Sequence, residues 1–399
     1  MSDGRVQVHG YLRSADTAST LEAMTELGAR LAHAQARGAG TDLELVGAGL
    51  RGANPGVESI DVGNSGTLIR LLPGWLAGQP RGTWTLDGDD SIRRRPVDRV
   101  AHPLRRMGGT VDCREGGLPP VTVEGSDLHG IEYELPVASA QVKSCVLLAG
   151  LLADSDTTVV ETLPSRDHTE VMLRAAGVPV RSESGRVSIS PMRRFELGEI
   201  EVPGDFSSAA FFLAAASVVP GSEVVLRGVG VNPTRTGLLT VLGRMGGDVQ
   251  VSERTAAGGE PIGDLVVRTA ELRGTDVRPE EVPLTIDELP LVALLGAFAE
   301  GRTTVHGAQE LRRKESDRIT TVVEGLRGLG ARIEAAPDGF MIEGTGGLAG
   351  GTIDAAHDHR LAMLGAVAGV ASREGVDVEG FEASAISYPG FGDDLGKIA

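Results

Sequence analysis

The stretch Leu289-Pro-Leu-Val-Ala-Leu-Leu-Gly-Ala-Phe-Ala299 is followed, after a short turn, by Thr303-Thr-Val-His306. The first run predicts a helix built from small apolar residues, which suits close packing of a helix against a sheet. The second run is short and alternating, which is the pattern of a β-strand. A small-residue helix that feeds a strand is therefore the basic element pair of the predicted fold.

This helix–strand pair recurs along the chain. Small-residue helices are predicted at Thr67–Ala77, Val142–Leu152, Ser208–Ser217, Leu289–Ala299 and Leu361–Ser372. Strands are predicted at Arg5–Val8, Gly82–Leu86, Thr157–Val160, Ser222–Leu226, Thr303–His306 and Gly375–Val378. Each of the first five strands leads through a polar loop to a second helix that stops at a glycine, a common C-terminal stop. Six such units in 399 residues predict an α/β protein with two domains.

The first of these units differs from the others. Its strand, which begins at Arg5, has no small-residue helix upstream, although the other five strands have one. The repeat therefore predicts that one helix and its preceding loop are missing before Arg5. Terminal repeats are often atypical, so a capping variant of the first unit stays open as the alternative.

Composition and charge exclude several classes of protein. The formal net charge of −17 argues against a nucleic-acid partner, because phosphate neutralisation needs a basic face. Anionic small molecules are compatible with this charge, since a cleft can focus positive potential. The sequence has only two cysteines, Cys113 and Cys145, and its histidines are scattered. It therefore predicts neither a disulfide framework nor a metal site. The N-terminus lacks a signal-peptide pattern and no apolar run is long enough to span a membrane, so we expect a cytoplasmic protein.

The loops before the small-residue helices are candidate anion sites, because helix N-termini present free N–H groups and a positive dipole end. They read Gly63-Asn-Ser-Gly-Thr67, Ala138-Ser-Ala-Gln-Val-Lys143, Gly204-Asp-Phe-Ser-Ser208, Thr285-Ile-Asp-Glu-Leu289 and His357-Asp-His-Arg360. Such residues are also ordinary helix caps, and for one loop alone capping is the simpler explanation. Five loops at equivalent repeat positions favour convergence on one cleft.

A second set of loops carries arginine at a common phase of the repeat. They read Ser91-Ile-Arg-Arg-Arg-Pro96, Pro164-Ser-Arg-Asp-His-Thr-Glu170, Asn232-Pro-Thr-Arg-Thr236 and Glu310-Leu-Arg-Arg-Lys-Glu-Ser-Asp-Arg318. Arginine suits phosphate and carboxylate because its fork binds two oxygens, although a solvated charge run is the alternative. Lys314 and Arg318 are four residues apart, so a helix would place both on one face. Glu315, beside these cations, is favoured in its ionised form and could exchange a proton with a substrate that they hold.

Together these strings resemble the EPSP synthase family. The string Lys314-Glu-Ser-Asp-Arg318 looks like the signature of that family. The other matches occur in family order over essentially the whole chain: Asn64-Ser-Gly-Thr67, Arg95-Pro96, Ser139-Ala-Gln-Val-Lys-Ser144, Ser165-Arg-Asp-His-Thr-Glu170, Asp205-Phe-Ser-Ser-Ala209, Ile286-Asp-Glu-Leu-Pro290 and Asp358-His-Arg360. Each match alone is weak to moderate, but their combination is highly specific.

The resemblance implies a fold of two domains, each made of three βαβαββ units with helices packed inside. The first domain would cover residues 1–203, with its first unit truncated, and the second residues 204–399. Family members carry a Pro-Gly-Ser-Lys-Ser segment ahead of their first small-residue helix, and this chain has no such string.

The resemblance also implies a reaction: transfer of the enolpyruvyl group of phosphoenolpyruvate to the 5-hydroxyl of 3-phosphoshikimate, without metal or organic cofactor. It implies that 3-phosphoshikimate is bound by Ser139, Ala140, Gln141, Ser165, Asp287 and Lys314. It implies that phosphoenolpyruvate is bound by Gly66, Arg95, Gln141, Arg318 and Arg360. Asp287 would be the base toward the 5-hydroxyl, and Glu315 would handle the proton at the methylene carbon. We expect a monomer whose partners are these two small molecules.

Two other functions stay open. UDP-N-acetylglucosamine enolpyruvyl transferase shares the fold, although the Lys-Glu-Ser-Asp-Arg and Ser-Ala-Gln-Val-Lys-Ser strings favour the shikimate enzyme. A non-catalytic homologue that binds an anionic ligand is favoured by the absent Lys-bearing string and disfavoured by Asp287, Glu315 and the arginines. A start codon assigned too far downstream in an ordinary enzyme is our preferred explanation for the absent string.

We predict that the 399-residue chain is inactive or nearly so, and that restoring the upstream segment rescues it. An absent core helix forfeits burial worth about 25 cal/mol per Å² of apolar surface, in a protein whose whole stability is about 5–15 kcal/mol. The measurement compares thermal unfolding and phosphate release for both lengths, expressed from the upstream-extended reading frame. Equal cooperativity and equal turnover would contradict this prediction.

Overall fold

The computed structural model describes residues 1–38, 40–256 and 258–398, and these residues form two compact units. Unit 1 comprises Met1–Val202 together with Ala256–Glu260. Unit 2 comprises Pro203–Thr255 together with the chain from Pro261 onward.

Unit 1 is built from short strands in three sheets. The strands are β1 (Arg5–Tyr11), β2 (Arg30–Arg37), β3 (Gly40–Val46), β4 (Ser59–Asp61), β5 (Thr83–Asp87), β6 (Thr110–Arg114), β7 (Leu118–Glu124), β8 (Glu132–Glu134), β9 (Thr157–Val160), β10 (Val180–Glu183), β11 (Arg186–Ile189) and β12 (Glu199–Glu201). The helices are α1 (Ala15–Glu26), α2 (Leu68–Ala77), α3 (Asp98–Arg106), α4 (Ala140–Gly150) and α5 (His168–Ala175), with a 3₁₀ turn at Ile92–Arg94.

Unit 2 has a larger share of helix. Its strands are β13 (Glu223–Gly230), β14 (Asp248–Thr255), β15 (Pro261–Arg268), β16 (Asp276–Val277), β17 (Arg302–Val305), β18 (Arg332–Ala336), β19 (Gly339–Glu343), β20 (Gly351–Asp354) and β21 (Val376–Glu379). Its helices are α6 (Phe206–Val218), α7 (Gly237–Arg244), α8 (Val282–Thr285), α9 (Leu289–Phe298), α10 (Arg318–Gly328), α11 (His359–Ala371) and α12 (Phe391–Gly396). The 3₁₀ turns are Gln309–Arg313 and Phe381–Ile386.

The sheets repeat one topology. In unit 1 the orders are β12-β1-β3-β2, β4-β5-β7-β6 and β8-β9-β11-β10, and in each sheet the first pair is parallel and the others are antiparallel. In unit 2 the sheet β16-β17-β19-β18 has the same order, whereas β13-β15-β14 and β20-β21 contain parts of it. In the sheet β13-β15-β14, Gly204 forms an isolated parallel bridge with Val229 of β13. This bridge has the position that the parallel first strand has in the four-stranded sheets. The predicted βα repeat and the α/β fold class are therefore confirmed.

The small-residue helices lie inside the units, as predicted. In unit 2, α6, α9 and α11 pack against one another, and most of their residues are buried. In unit 1, α2 packs closely on α4. A Cβ added at Gly74 of α2 would lie 2.1 Å from the carbonyl oxygen of Cys145 on α4, so glycine is required at this crossing.

The prediction that Lys314 and Arg318 lie on one face of a helix is wrong. The chain at Lys314 is extended, and α10 begins only at Arg318. The helix starts there because Asp317 caps it, with its side chain accepting a hydrogen bond from the Thr320 amide. Lys314 therefore lies on a loop, and any meeting with Arg318 depends on tertiary structure.

No helix in the described ranges is long and apolar enough to cross a membrane.

A buried charge cluster fixes the loop between β9 and α5 to the inner helix α4. The Lys143 ammonium lies 3.0 Å from Glu161 Oε2 and 2.7 Å from Glu170 Oε1, and its side chain is only 1% exposed. Burial raises the pKa of Glu170, although the neighbouring Lys143 acts in the opposite direction. The ammonium therefore compensates carboxylates that are costly to bury alone.

We predict that Lys143→Met destabilises the protein by about 3–5 kcal/mol, because it leaves buried carboxylates without their cation. Lys143→Met combined with Glu170→Gln should recover part of this loss, since one of the carboxylates is then neutral. Lys397→Met is the matched control, because its ammonium is 70% exposed and pairs only at the surface, with Asp394. Urea unfolding measures all three variants, and equal losses in Lys143→Met and Lys397→Met would contradict the prediction.

Candidate active site

In unit 1, the loop before α2 lies against the guanidinium of Arg95. A Cβ added at Gly66 would lie 2.7 Å from Arg95 Nη1 and 3.3 Å from Arg70 Nη1. Arg95 is itself mostly buried, and its Nη2 donates to the hydroxyl of Ser91 at 3.2 Å. The absence of a side chain at position 66 therefore allows two guanidinium groups to approach the loop. The structure brings together Gly66 and Arg95, as the sequence predicted.

Arg70 connects this loop to the start of α4. Its Nη1 donates to the Gly66 carbonyl at 3.2 Å and to Gln141 Oε1 at 3.2 Å, and its Nη2 donates to the Pro96 carbonyl at 3.3 Å. Arg70 was not among the predicted site residues. Its spacing of one helical turn from Gly66 was the available signal.

Ser139 and Ala140 mark the beginning of α4. The Ser139 side chain caps the helix by accepting from the Val142 amide at 3.4 Å, so the simpler capping explanation holds for this residue. Ala140 is the first residue of the helix and offers only backbone groups for binding. Gln141 follows, and its Nε2 donates to Thr67 Oγ1 at 3.4 Å. These three predicted residues therefore share one helix end.

Ser165 is held by the buried charge cluster. Its amide donates to Glu161 Oε1 at 3.2 Å, its hydroxyl also bonds to that oxygen, and its carbonyl accepts from Lys143 Nζ at 3.4 Å. Glu161 was not predicted, because it lies outside every motif that we considered. A ligand phosphate would have to replace Glu161 as the partner of the Ser165 hydroxyl.

In unit 2, three cations surround Asp287, which lies just before α9. Its Oδ1 accepts from Lys314 Nζ at 3.2 Å and from Arg318 Nη1 at 3.4 Å, and its Oδ2 lies 3.7 Å from Arg360 Nη2. Such surroundings favour an ionised carboxylate, which can accept a proton but not donate one. The structure thus gathers three predicted residues around the carboxylate of a fourth, Asp287.

Arg318 is the fully buried member of this cluster. Its Nε donates to Asp358 Oδ2 at 2.7 Å and its Nη2 to Asp358 Oδ1 at 3.2 Å, and Nη2 also bonds to Glu315. Burial alone would raise the pKa of Asp358, but the neighbouring Arg318 outweighs it and lowers that pKa. Asp358 also caps α11 by accepting from the Arg360 amide at 2.9 Å. Capping was the simpler explanation that the sequence offered for such a loop, whereas the pairing of Asp358 with Arg318 was not predicted, because the two residues lie 40 positions apart.

The next residue, His359, adds no charge near neutral pH. Burial, and next the adjacent Arg360, lower the pKa of His359 to about 4. Its imidazole is therefore neutral at pH 7. The positive charge in this part of unit 2 comes from lysine and arginine alone.

A further arginine extends the network toward α6. Arg235 Nη2 donates to Asp205 Oδ1 at 2.7 Å and to the Ser207 hydroxyl at 2.9 Å, and that hydroxyl bonds to Glu288. Asp205 also caps α6 by accepting from the Ser208 amide at 2.8 Å. The arginine-bearing loop at 232–236 had been singled out in the sequence, but no role had been assigned to Arg235.

Each unit offers its own chemistry. The residues described in unit 1 supply guanidinium, amide and hydroxyl donors. In unit 2, two carboxylates, Asp287 and Glu315, contact the guanidinium of Arg318, an arrangement that suits acid–base chemistry. No group of His, Cys, Asp and Glu side chains suited to a metal ion occurs in the part of the chain that the structure describes.

Comparison with known proteins places this geometry in a family. Residues 1–395 match the family model described as EPSP synthase (3-phosphoshikimate 1-carboxyvinyltransferase). The 3-phosphoshikimate 1-carboxyvinyltransferase of Bacillus licheniformis is 45% identical over 401 residues, which cover 100% of this chain and 92% of the relative. That of Alkalilimnicola ehrlichii is 47% identical over 393 residues, covering 98% of this chain and 87% of the relative.

Solved structures agree. EPSP synthase from Acinetobacter baumannii superposes with a TM-score of 0.87 at 40% identity, covering 100% of this chain and 91% of that one. The enolpyruvyl transferase NikO from Streptomyces tendae superposes with a TM-score of 0.76 at 17% identity, which shows a shared fold alone. The family model spans nearly the whole chain, and the relatives are similar over nearly their whole length. The chain therefore belongs to the EPSP synthase family.

Proposed function

We propose that this chain transfers the enolpyruvyl group of phosphoenolpyruvate to the 5-hydroxyl of 3-phosphoshikimate and releases phosphate. The observation that carries the proposal is the pair of carboxylates, Asp287 and Glu315, set among Lys314, Arg318 and Arg360. Addition of a hydroxyl to the double bond of an enol phosphate needs a base at the attacking hydroxyl and an acid at the methylene carbon. Family membership supports the same reaction.

The proposed binding roles follow the motifs. For 3-phosphoshikimate they fall on Ser139, Ala140, Gln141, Ser165, Asp287 and Lys314, and for phosphoenolpyruvate on Gly66, Arg95, Gln141, Arg318 and Arg360. Guanidinium forks suit the carboxylate and phosphate of both substrates. Since Lys314, Arg318 and Arg360 contact protein carboxylates in this structure, a substrate anion that binds them must share these cations with a carboxylate or displace it.

The proposed proton steps belong to the two carboxylates. Asp287, ionised beside its cations, takes the proton of the 5-hydroxyl as that oxygen attacks C2 of phosphoenolpyruvate. Glu315, in its protonated form, gives its proton to the C3 methylene and becomes ionised. In the elimination that follows, Glu315 takes a proton back from C3, the C2–O bond to phosphate breaks, and the phosphate leaves with the proton that Asp287 had taken. Both carboxylates therefore end the cycle in the state in which they began it.

Three further assignments complete the proposal. The two family domains cover residues 1–203 and 204–399, and the enzyme works as a monomer in the cytoplasm. Free Cys113 and Cys145 agree with a reducing compartment.

The alternative of a UDP-N-acetylglucosamine enolpyruvyl transferase is disfavoured by the names of the relatives. A non-catalytic homologue would bind the substrates without releasing phosphate, so a phosphate-release assay with both substrates, run on the chain and on its N-terminally extended form, tests the proposal.

We predict that Asp287→Asn and Glu315→Gln, made in whichever chain length turns over, each lower kcat by about 10²–10⁴-fold, the usual contribution of a positioned acid or base. Thermal unfolding should stay near that of the unmodified protein, because Asp358 still compensates the buried Arg318. Glu324→Gln is the control, since Glu324 is exposed on α10. Normal turnover in either site variant would remove that residue from the proposed mechanism.

We predict that Gly66→Ala raises the KM for phosphoenolpyruvate more than the KM for 3-phosphoshikimate. The added Cβ would meet the mobile end of Arg95 at 2.7 Å, so the guanidinium shifts while the backbone keeps its place. Gly243→Ala on α7 is the control, because a Cβ there meets nothing within 4 Å. Equal increases in both KM values would show that Arg95 is not specific to phosphoenolpyruvate.

A further inference from the structure

Arg312 begins the loop that carries Lys314 and Glu315, and its side chain contacts Asp317 at the other end of that loop. Its Nη1 donates to Asp317 Oδ2 at 2.7 Å and to Thr320 Oγ1 at 3.2 Å. Its Nη2 donates to the Ala336 carbonyl at 2.7 Å, and its Nε donates to the Pro337 carbonyl at 2.9 Å. One guanidinium therefore ties the start of the loop to the cap of α10 and to the turn that follows β18.

The residues between Arg312 and Asp317 form a short closed loop. Asp317 is fixed on its own side by α10, because its carboxylate accepts from the Thr320 amide at 3.2 Å and from the Thr320 hydroxyl at 3.0 Å. Lys314 and Glu315 lie inside this loop, and their side chains reach Asp287 and Arg318 respectively. The Arg312–Asp317 contact thus closes the segment from which both groups project.

The contribution of this contact to global stability is expected to be small. The Arg312 and Asp317 side chains are 31% and 39% exposed, and exposed ion pairs contribute only about 0–1 kcal/mol. Its geometric effect is larger, because a shift of about 1 Å in a catalytic group can cost about 10²-fold in rate. A positioning role therefore predicts a large loss in rate with little loss in stability, whereas a role in folding would lower the stability as well.

We propose that Arg312 is a positioning residue that holds the Lys314–Glu315 loop in its reactive geometry. The proposal rests on the proposed enolpyruvyl transfer. Arg312 acts through the loop rather than on substrate, since its guanidinium donates to a helix cap and to two backbone carbonyls, none of which belongs to a predicted site residue. Lysine cannot replace it, because one ammonium does not reproduce the planar fork that spans the helix cap and two carbonyls.

The first test is hydrogen exchange, which does not depend on turnover. Arg312→Lys should speed the exchange of the backbone amides at residues 313–317, while thermal unfolding stays near that of the unmodified protein. Arg313→Lys is the matched control, because it is the adjacent arginine and its side chain is exposed. Unchanged exchange at 313–317 in Arg312→Lys, or an equal increase in Arg313→Lys, would overturn the proposal.

The second test is a double-mutant cycle on phosphate release, in whichever chain length turns over. Arg312→Lys should lower kcat by about 10-fold or more with little change in KM, and Arg313→Lys should not. In a Glu315→Gln background the same change should cost much less, because the group that Arg312 positions is already disabled. Equal losses in both backgrounds would overturn the positioning role.

An unmodified enzyme without turnover would instead refute the proposed reaction. The exchange measurement alone would then test whether Arg312 holds the loop in place.

Discussion

The buried guanidinium of Arg318 is the constraint on which the site in unit 2 depends. A fully buried charge must be compensated, and three carboxylates from three separate segments do so. Asp287 comes from the segment before α9, Glu315 from the loop before α10, and Asp358 from the cap of α11. The need to satisfy one cation therefore fixes the relative positions of a candidate base, a candidate acid and a helix N-terminus.

The same constraint explains why the ion pairs suit a binding site better than a purely structural one. Buried ion pairs add little net stability compared with well-packed apolar residues, because desolvation offsets their attraction. In the proposed function, a substrate anion would approach Lys314, Arg318 and Arg360, which already contact the Asp287 carboxylate. The binding of such an anion would then be coupled to the position and the protonation of Asp287.

The repeat could be predicted from the sequence, because each repeated element depends on residues that are close together in the chain. Examples are the alternating strand Thr157–Val160 and the small-residue helix α9, whose patterns extend over only a few residues. The structure brings several of the predicted site residues together, among them Asp287, Lys314 and Arg318, but their contacts were not predicted. Lys314 and Arg318 were expected to share a helix face, yet Asp317 ends the loop and starts the helix between them. Their meeting at Asp287 depends on tertiary packing, which residue spacing does not contain.

The residues that escaped prediction share one property: each acts through a partner distant in sequence. Arg70 reaches Gln141, and Glu161 reaches Lys143 as well as Ser165. Arg312 reaches the carbonyls of Ala336 and Pro337. A motif records the groups that meet a ligand, because those groups recur in a fixed local order. The groups that hold them in place need only the right distance in three dimensions, so their partners become recognisable only once the fold is known.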